Sequence, residues 1–179
     1  MKITRLPKEA IFVLAAALAV ALALPALAGR GDDAKRKSKN GSTSGTIDGV
    51  EVTLEYGRPQ VKGRKIWGGL VPYGKVWRTG ADEATTIAFG ADVTVGGKPL
   101  AAGTYSLFTI PAEGEWTVIF NKTAEQWGAY SYEAGQDALR VPARTESAAP
   151  TEALEFSIQG SDVVLKWEKL AVSFSVAAR

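Results

Sequence analysis

Arg58, Arg64 and Arg78 fall within one 31-residue stretch, Tyr56 to Thr86, together with Trp67 and Trp77. An Arg guanidinium is a planar fork that matches carboxylate or phosphate oxygens two at a time. A Trp face offers apolar contact to a sugar ring. Glycines at 63, 68, 69, 74 and 80 let backbone N–H groups approach a ligand closely. These types together predict a pocket for a small anionic or carbohydrate-like ligand, with Asp82 and Glu83 orienting the arginines. Trp127, from a second irregular stretch at 121–135, supplies the opposite wall. The competing interpretation is structural: Arg58 and Arg78 pair with Asp82, Glu83 or strand acids, and the Trp side chains plug one end of the fold.

Asp82 and Glu83 could instead act as a hydrolytic acid/base pair, the runner-up chemistry. Cleaving a glycosidic bond needs two carboxylates roughly 5–9.5 Å apart across it. Neighbours on an extended chain point to opposite faces, so a partner such as Glu133 or Asp137 is required. A calcium site at Asp82, Glu83 and Asp137 lacks the spaced Asp/Asn loop such sites use. Thr85, Thr86 and Ser131 have no His to activate them, for the chain contains neither His nor Cys. That removes the commonest general base and nearly every zinc site. It also leaves a fold held by its core alone, and an expectation of binding without catalysis, cofactor or metal.

Charge narrows the ligand further. The stretch 56–86 carries six basic and two acidic residues, a net of +4, whereas residues 41–179 as a whole carry a net of −3. A basic loop on an acidic body suits a local anion. It does not suit nucleic acid, which needs a basic face.

The chain opens with a basic segment (Lys2, Arg5, Lys8), an apolar run from Ala10 to Leu24, Pro25 and the small-residue site Ala26-Leu27-Ala28. This is the pattern of an export signal at 1–28, so the domain is expected in the periplasm or medium with no membrane span after cleavage. Residues 29–45 are polar and Gly/Ser-rich and predict a disordered tether. The remainder, 46–179, reads as one domain. Apolar residues alternate at Val50–Tyr56, Trp116–Phe120, Leu154–Ile158, Val163–Trp167 and Val172–Val176, with further runs at 85–89, 92–95 and 104–110. Gly96-Gly97 signals a hairpin. Bulk on both faces of 104–110 marks a central strand, and Pro142 marks an edge or bulge. About nine short strands predict an all-β antiparallel sandwich, a jelly-roll-like arrangement being one form of it, with a closed barrel as the alternative.

The blocks Y-G-R-P at 56–59, K-G-R-K-I-W-G at 62–68, L-V-P-Y-G-K-V-W-R-T-G-A at 70–81, E-A-T-T at 83–86 and A-G-T-Y-S-L-F-T-I-P at 102–111 resemble the bacterial family known as domain of unknown function 2911. The resemblance implies a β-rich, secreted or periplasmic protein and carries no activity with it. Where the family reads Gly-Ala-Asn-Glu-Ala-Thr, this chain has Asp82 in place of the Asn. If the family's site holds an anion through that Asn, the resemblance implies weaker binding here. A third function class, a structural or protein-interaction module of the cell envelope, would use an exposed edge strand or the aromatic loop.

Overall fold

The structure, a computed structural model, describes residues 30–179; the signal segment expected at 1–28 lies outside the described residues. Alternation in sequence becomes alternation in burial. In β2 (Val50–Arg58), Val52, Leu54 and Tyr56 are buried, while Glu51, Thr53 and Glu55 are not. Fully burying such an aliphatic side chain is worth roughly 1.5–3 kcal/mol.

The strands are β1 (Lys39–Ile47), β2, β3 (Thr85–Phe89), β4 (Val93–Val95), β5 (Lys98–Leu100), β6 (Gly103–Ile110), β7 (Trp116–Asn121), β8 (Asp137–Gln159) and β9 (Asp162–Ala178). They form one antiparallel sheet in the order β1-β2-β3-β6-β7-β8-β9-β4-β5. The β4–β5 hairpin turns at Gly96-Gly97 and attaches to the end of β9. β6 is central, between β3 and β7. Its Tyr105 and Leu107 enter the main core, and Phe108 enters a smaller cluster with Ala84 and Ile119 on the other face.

The sequence pattern divides 137–159 and 162–178 into separate short strands, but each is one long strand. β8 pairs with β7 up to Ala143 and with β9 from Arg144 onward. Pro142 therefore sits opposite Thr117 before the β9 ladder begins, where its missing N–H breaks no pairing. The ladder with β9 is interrupted between Ser147 and Glu155. The sheet folds over so that β8 meets β1 and β2. Phe156 packs edge-on against Tyr56 at 4.9 Å, and Thr43 Oγ1 donates to the Phe156 carbonyl at 2.9 Å. No ladder joins β1 to β8, so the result is a sandwich-like fold and not a closed barrel.

Residues 30–45, expected to be a disordered tether, are part of this architecture. Asp33–Lys35 form a single 3-10 turn and β1 pairs with β2 from Lys39 to Ile47. Two features hid this from composition. β1 is an edge strand with mostly exposed or half-buried residues. Its glycine at 41 is needed for close approach, because a Cβ there would lie 2.6 Å from the Tyr56 ring.

The stretch 59–84 is irregular but anchored. Val61 N–H donates to Glu152 O and Leu154 N–H to Pro59 O, using the interruption in β8. Ile66 and Val71 are buried, and Trp77 exchanges backbone hydrogen bonds with Thr109 of β6 at 2.8 and 2.9 Å. The return of the stretch lies so close to β2 that a Cβ on Gly57 would stand 2.2 Å from the Ala81 carbonyl oxygen. Gly57→Ala is therefore expected to push these two backbones apart and cost about 1–3 kcal/mol, read as a lower urea midpoint with an unchanged slope. A midpoint equal to wild type would show that the close approach is dispensable.

Candidate functional site

Four of the five Trp residues interlock. Trp67 meets Trp116 of β7 at 5.0 Å and Trp167 of β9 at 5.6 Å, both edge-on, and Trp77 stacks on Trp167 at 5.9 Å with an 18° interplanar angle. Each such pair is worth about 0.5–1.5 kcal/mol beyond the area it buries. The cluster fastens the irregular stretch to the sheet. Above it lies a cleft of about 450 Å³, within the ordinary range for small-molecule sites.

Trp77 and Trp167 line this cleft, and its cations are Lys37, Lys62, Arg64 and Arg78, with Asp82 the single carboxylate on its wall. Arg78 differs from Arg64, the other arginine of the cleft. Its Nε is shielded from solvent and has no acceptor, and its guanidinium makes no ion pair among the described residues. Leaving such a donor unmet costs about 1–3 kcal/mol or more. Two residues with positive φ follow it, Thr79 at 54° and Asp82 at 63°. For the β-branched Thr79 this is a strained conformation. Two bonds hold it: its hydroxyl donates to Thr109 Oγ1 at 3.1 Å, and its carbonyl accepts from Thr85 Oγ1 at 2.8 Å.

The other expected site residues are distributed differently. Arg64 reaches the cleft but donates its Nε to the Val61 carbonyl and its Nη2 to the Gln60 carbonyl. Arg58 does not reach it. Its Nε donates to the Leu154 carbonyl at 3.1 Å, and Nη2 lies 3.9 Å from Glu155. Trp67 belongs to the cluster beneath the cleft. Trp127 is not its opposite wall: its backbone bridges to Glu83, but its side chain is 60% exposed and lines no part of the cleft.

Asp82 and Glu83 do not orient the loop arginines. Their partners come from the segment before β1. Arg36 donates Nη1 to Glu83 Oε2 at 2.7 Å and Nη2 to Glu83 Oε1, and Nη1 lies 3.4 Å from Asp82 Oδ2. Arg30 donates to the carbonyls of Glu55 and Ala84 at 2.7 and 2.8 Å, with Glu83 at 3.9 Å. Burial works to raise the Glu83 pKa, but the hydrogen bonds from Arg36 and its own backbone N–H, with the charges of Arg36 and Arg30, hold it below the ordinary value. Burial pulls Arg30 below the usual guanidinium value, only partly offset by Glu83. Asp137, one of the two partners named for hydrolysis beside Glu133, is engaged by Asn121, Tyr132 and Arg140 at 2.7–2.8 Å. Burial and that Asp137 contact both push the Tyr132 phenol up. Among the described residues no three acidic side chains come together as a metal site.

Sequence reasoning missed Arg30, Arg36, Lys37 and Trp167. The first three were absorbed into a presumed tether, and Trp167 read only as a core strand residue. The one available signal was the excess of cations at 29–40 over an acidic body.

Over residues 38–176 the chain matches the family described as "Protein of unknown function (DUF2911)", and it belongs to that family. No curated protein and no solved structure matches it.

The Glu83 pairing sets a pH dependence. A carboxylate whose folded pKa lies below its unfolded value contributes stability above the unfolded value and loses it as pH falls toward the folded one. The ordinary value is 4.5, so the loss is expected below that pH. Glu83→Gln should cost about 1–2 kcal/mol near neutrality, reduced from a fully buried pair because the side chains are 9% and 20% exposed. It should also flatten the acid limb of stability measured by urea unfolding. An acid limb as steep as wild type would remove Glu83 from the balance.

Proposed function

We propose that this protein is an exported binding domain whose cleft takes a small anionic or sugar-like ligand without catalysing a reaction on it. The observation that carries the proposal is Arg78: a half-buried guanidinium with an unmet Nε donor, in a cleft with three other cations and a Trp77–Trp167 wall. A ligand oxyanion would supply the missing acceptor, and the small part of Trp77 left exposed would meet the ligand's apolar side. The leader-like pattern at 1–28 supports export.

Catalysis by Asp82 and Glu83 fits less well. A general acid at neutral pH needs a raised carboxyl pKa, whereas Glu83 is lowered and both residues are engaged by Arg36. A second reading, docking of another envelope component, rests on Trp127 and Tyr130, which stand 60% and 87% exposed.

The test is thermal unfolding of the purified protein against phosphate, sulfate, dicarboxylates, sugars and sugar phosphates. A ligand at about 100 times its Kd should add about 2.7 kcal/mol. Arg78→Ala should abolish the shift, and Arg78→Lys should weaken it by losing the fork. Without ligand, Arg78→Ala should be as stable as wild type or more so, because it removes an unmet donor. A wild-type shift that survives in Arg78→Ala would place the ligand elsewhere, and a panel without any shift would favour docking.

A further inference from the structure

The segment Arg30–Ser38 precedes the sheet and lies almost wholly outside the family match, which begins at residue 38. It is nevertheless closed into a defined arm. Asp33 Oδ1 accepts from Asn40 N–H at 2.6 Å, Lys39 Nζ donates to the Asp33 carbonyl at 2.7 Å, and Arg36 Nε donates to the Gly31 carbonyl at 3.1 Å. From this arm Lys37 and Ser38 form part of the cleft wall. Arg36, 9% exposed, reaches past them to Asp82 and Glu83.

Among the described residues, Asp82 is the only carboxylate lining the cleft, and Arg78 is the only arginine there without an acceptor. Two opposite charges on one small wall would ordinarily pair, and a free carboxylate would repel an incoming anion. Asp82 instead has Arg36 as its ion-pair partner, 3.4 Å from Oδ2. We infer that the Arg30–Ser38 arm sets the charge of the cleft: Arg36 holds the Asp82 carboxylate away from Arg78 and cancels its charge, so that Arg78 stays available to an anion, while Lys37 adds a further cation at the rim. Arg36 is thus a positioning residue for the site, acting through Asp82; the inference rests on the anion reading of the cleft.

A four-protein cycle separates this role from simple support of the fold. Binding of inorganic phosphate is measured by calorimetric titration at constant ionic strength for wild type, Arg36→Gln, Asp82→Asn and the double variant. Asn keeps the positive φ that residue 82 requires. Arg36→Gln is expected to weaken phosphate binding about tenfold. Asp82→Asn should bind at least as tightly as wild type. The double variant should return to within about threefold of Asp82→Asn, because the cleft wall then carries no carboxylate, and Glu83, which Arg36 also pairs, does not line the cleft. A double variant as weak as Arg36→Gln, or an Arg36→Gln that binds like wild type, would overturn the inference while leaving the anion reading intact. If Arg36→Gln does not fold, Asp82→Asn alone decides, and weaker binding by it overturns the inference. A wild-type protein indifferent to phosphate overturns the anion reading, and this inference with it.

Discussion

Every feature of the site depends on the interlocking of Trp67 and Trp77 with Trp116 and Trp167. Two of these indoles belong to the sheet and two to an irregular stretch with few ladder bonds of its own. Edge-on and stacked contacts are directional, so they fix orientation as well as burial. With no disulfide available, this contact and the backbone bridge of Trp77 to Thr109 hold the stretch in place. Arg78 is the next residue in the chain. Its position above the cluster follows from where Trp77 is held.

The arginines divide by what surrounds them. Arg58 ends on the Leu154 carbonyl within β8, and Arg64 on the Val61 and Gln60 carbonyls of its own stretch. Arg30 and Arg36 are largely buried and meet carboxylates and carbonyls, as buried cations must. Among the described residues Arg78 has no such partner. Strain at Thr79 and Asp82, which follow it in the chain, is held by hydroxyl bonds and the arm. Local strain persists only where the surrounding structure over-determines it. Here that surrounding structure is the tryptophan cluster, the close Gly57–Ala81 approach and the Arg36 pairing.

The same Trp residues serve both of the interpretations that composition allowed. Trp67 and Trp116 are structural, and so is Trp167 at 1% exposure, whereas Trp77, 8% exposed, is both plug and a narrow part of the cleft wall. A large aromatic can bury one face and edge in the core and present the remainder to a cavity, so the two roles do not compete.

The β-sandwich class was legible because period-2 alternation is a local property: in a half-buried strand the side chain's face follows from its position alone. The Gly96-Gly97 hairpin and the central place of β6 were legible for the same reason. β1 was not, since a polar edge strand buries little and its composition matches that of a linker. The continuity of β8 past Pro142 depended on which neighbour pairs with which half of the strand, information absent from the strand itself. The site divided along the same line. Residue types alone identified a stretch rich in cations and indoles. Only the tertiary structure decided that Arg58 and Trp127 fall outside the cleft, that Arg36 takes Asp82 and Glu83, and that Arg78 is left without a partner. Ion pairing depends on which charges folding brings within a few ångströms, and Arg36 and Asp82 are 46 residues apart in the chain.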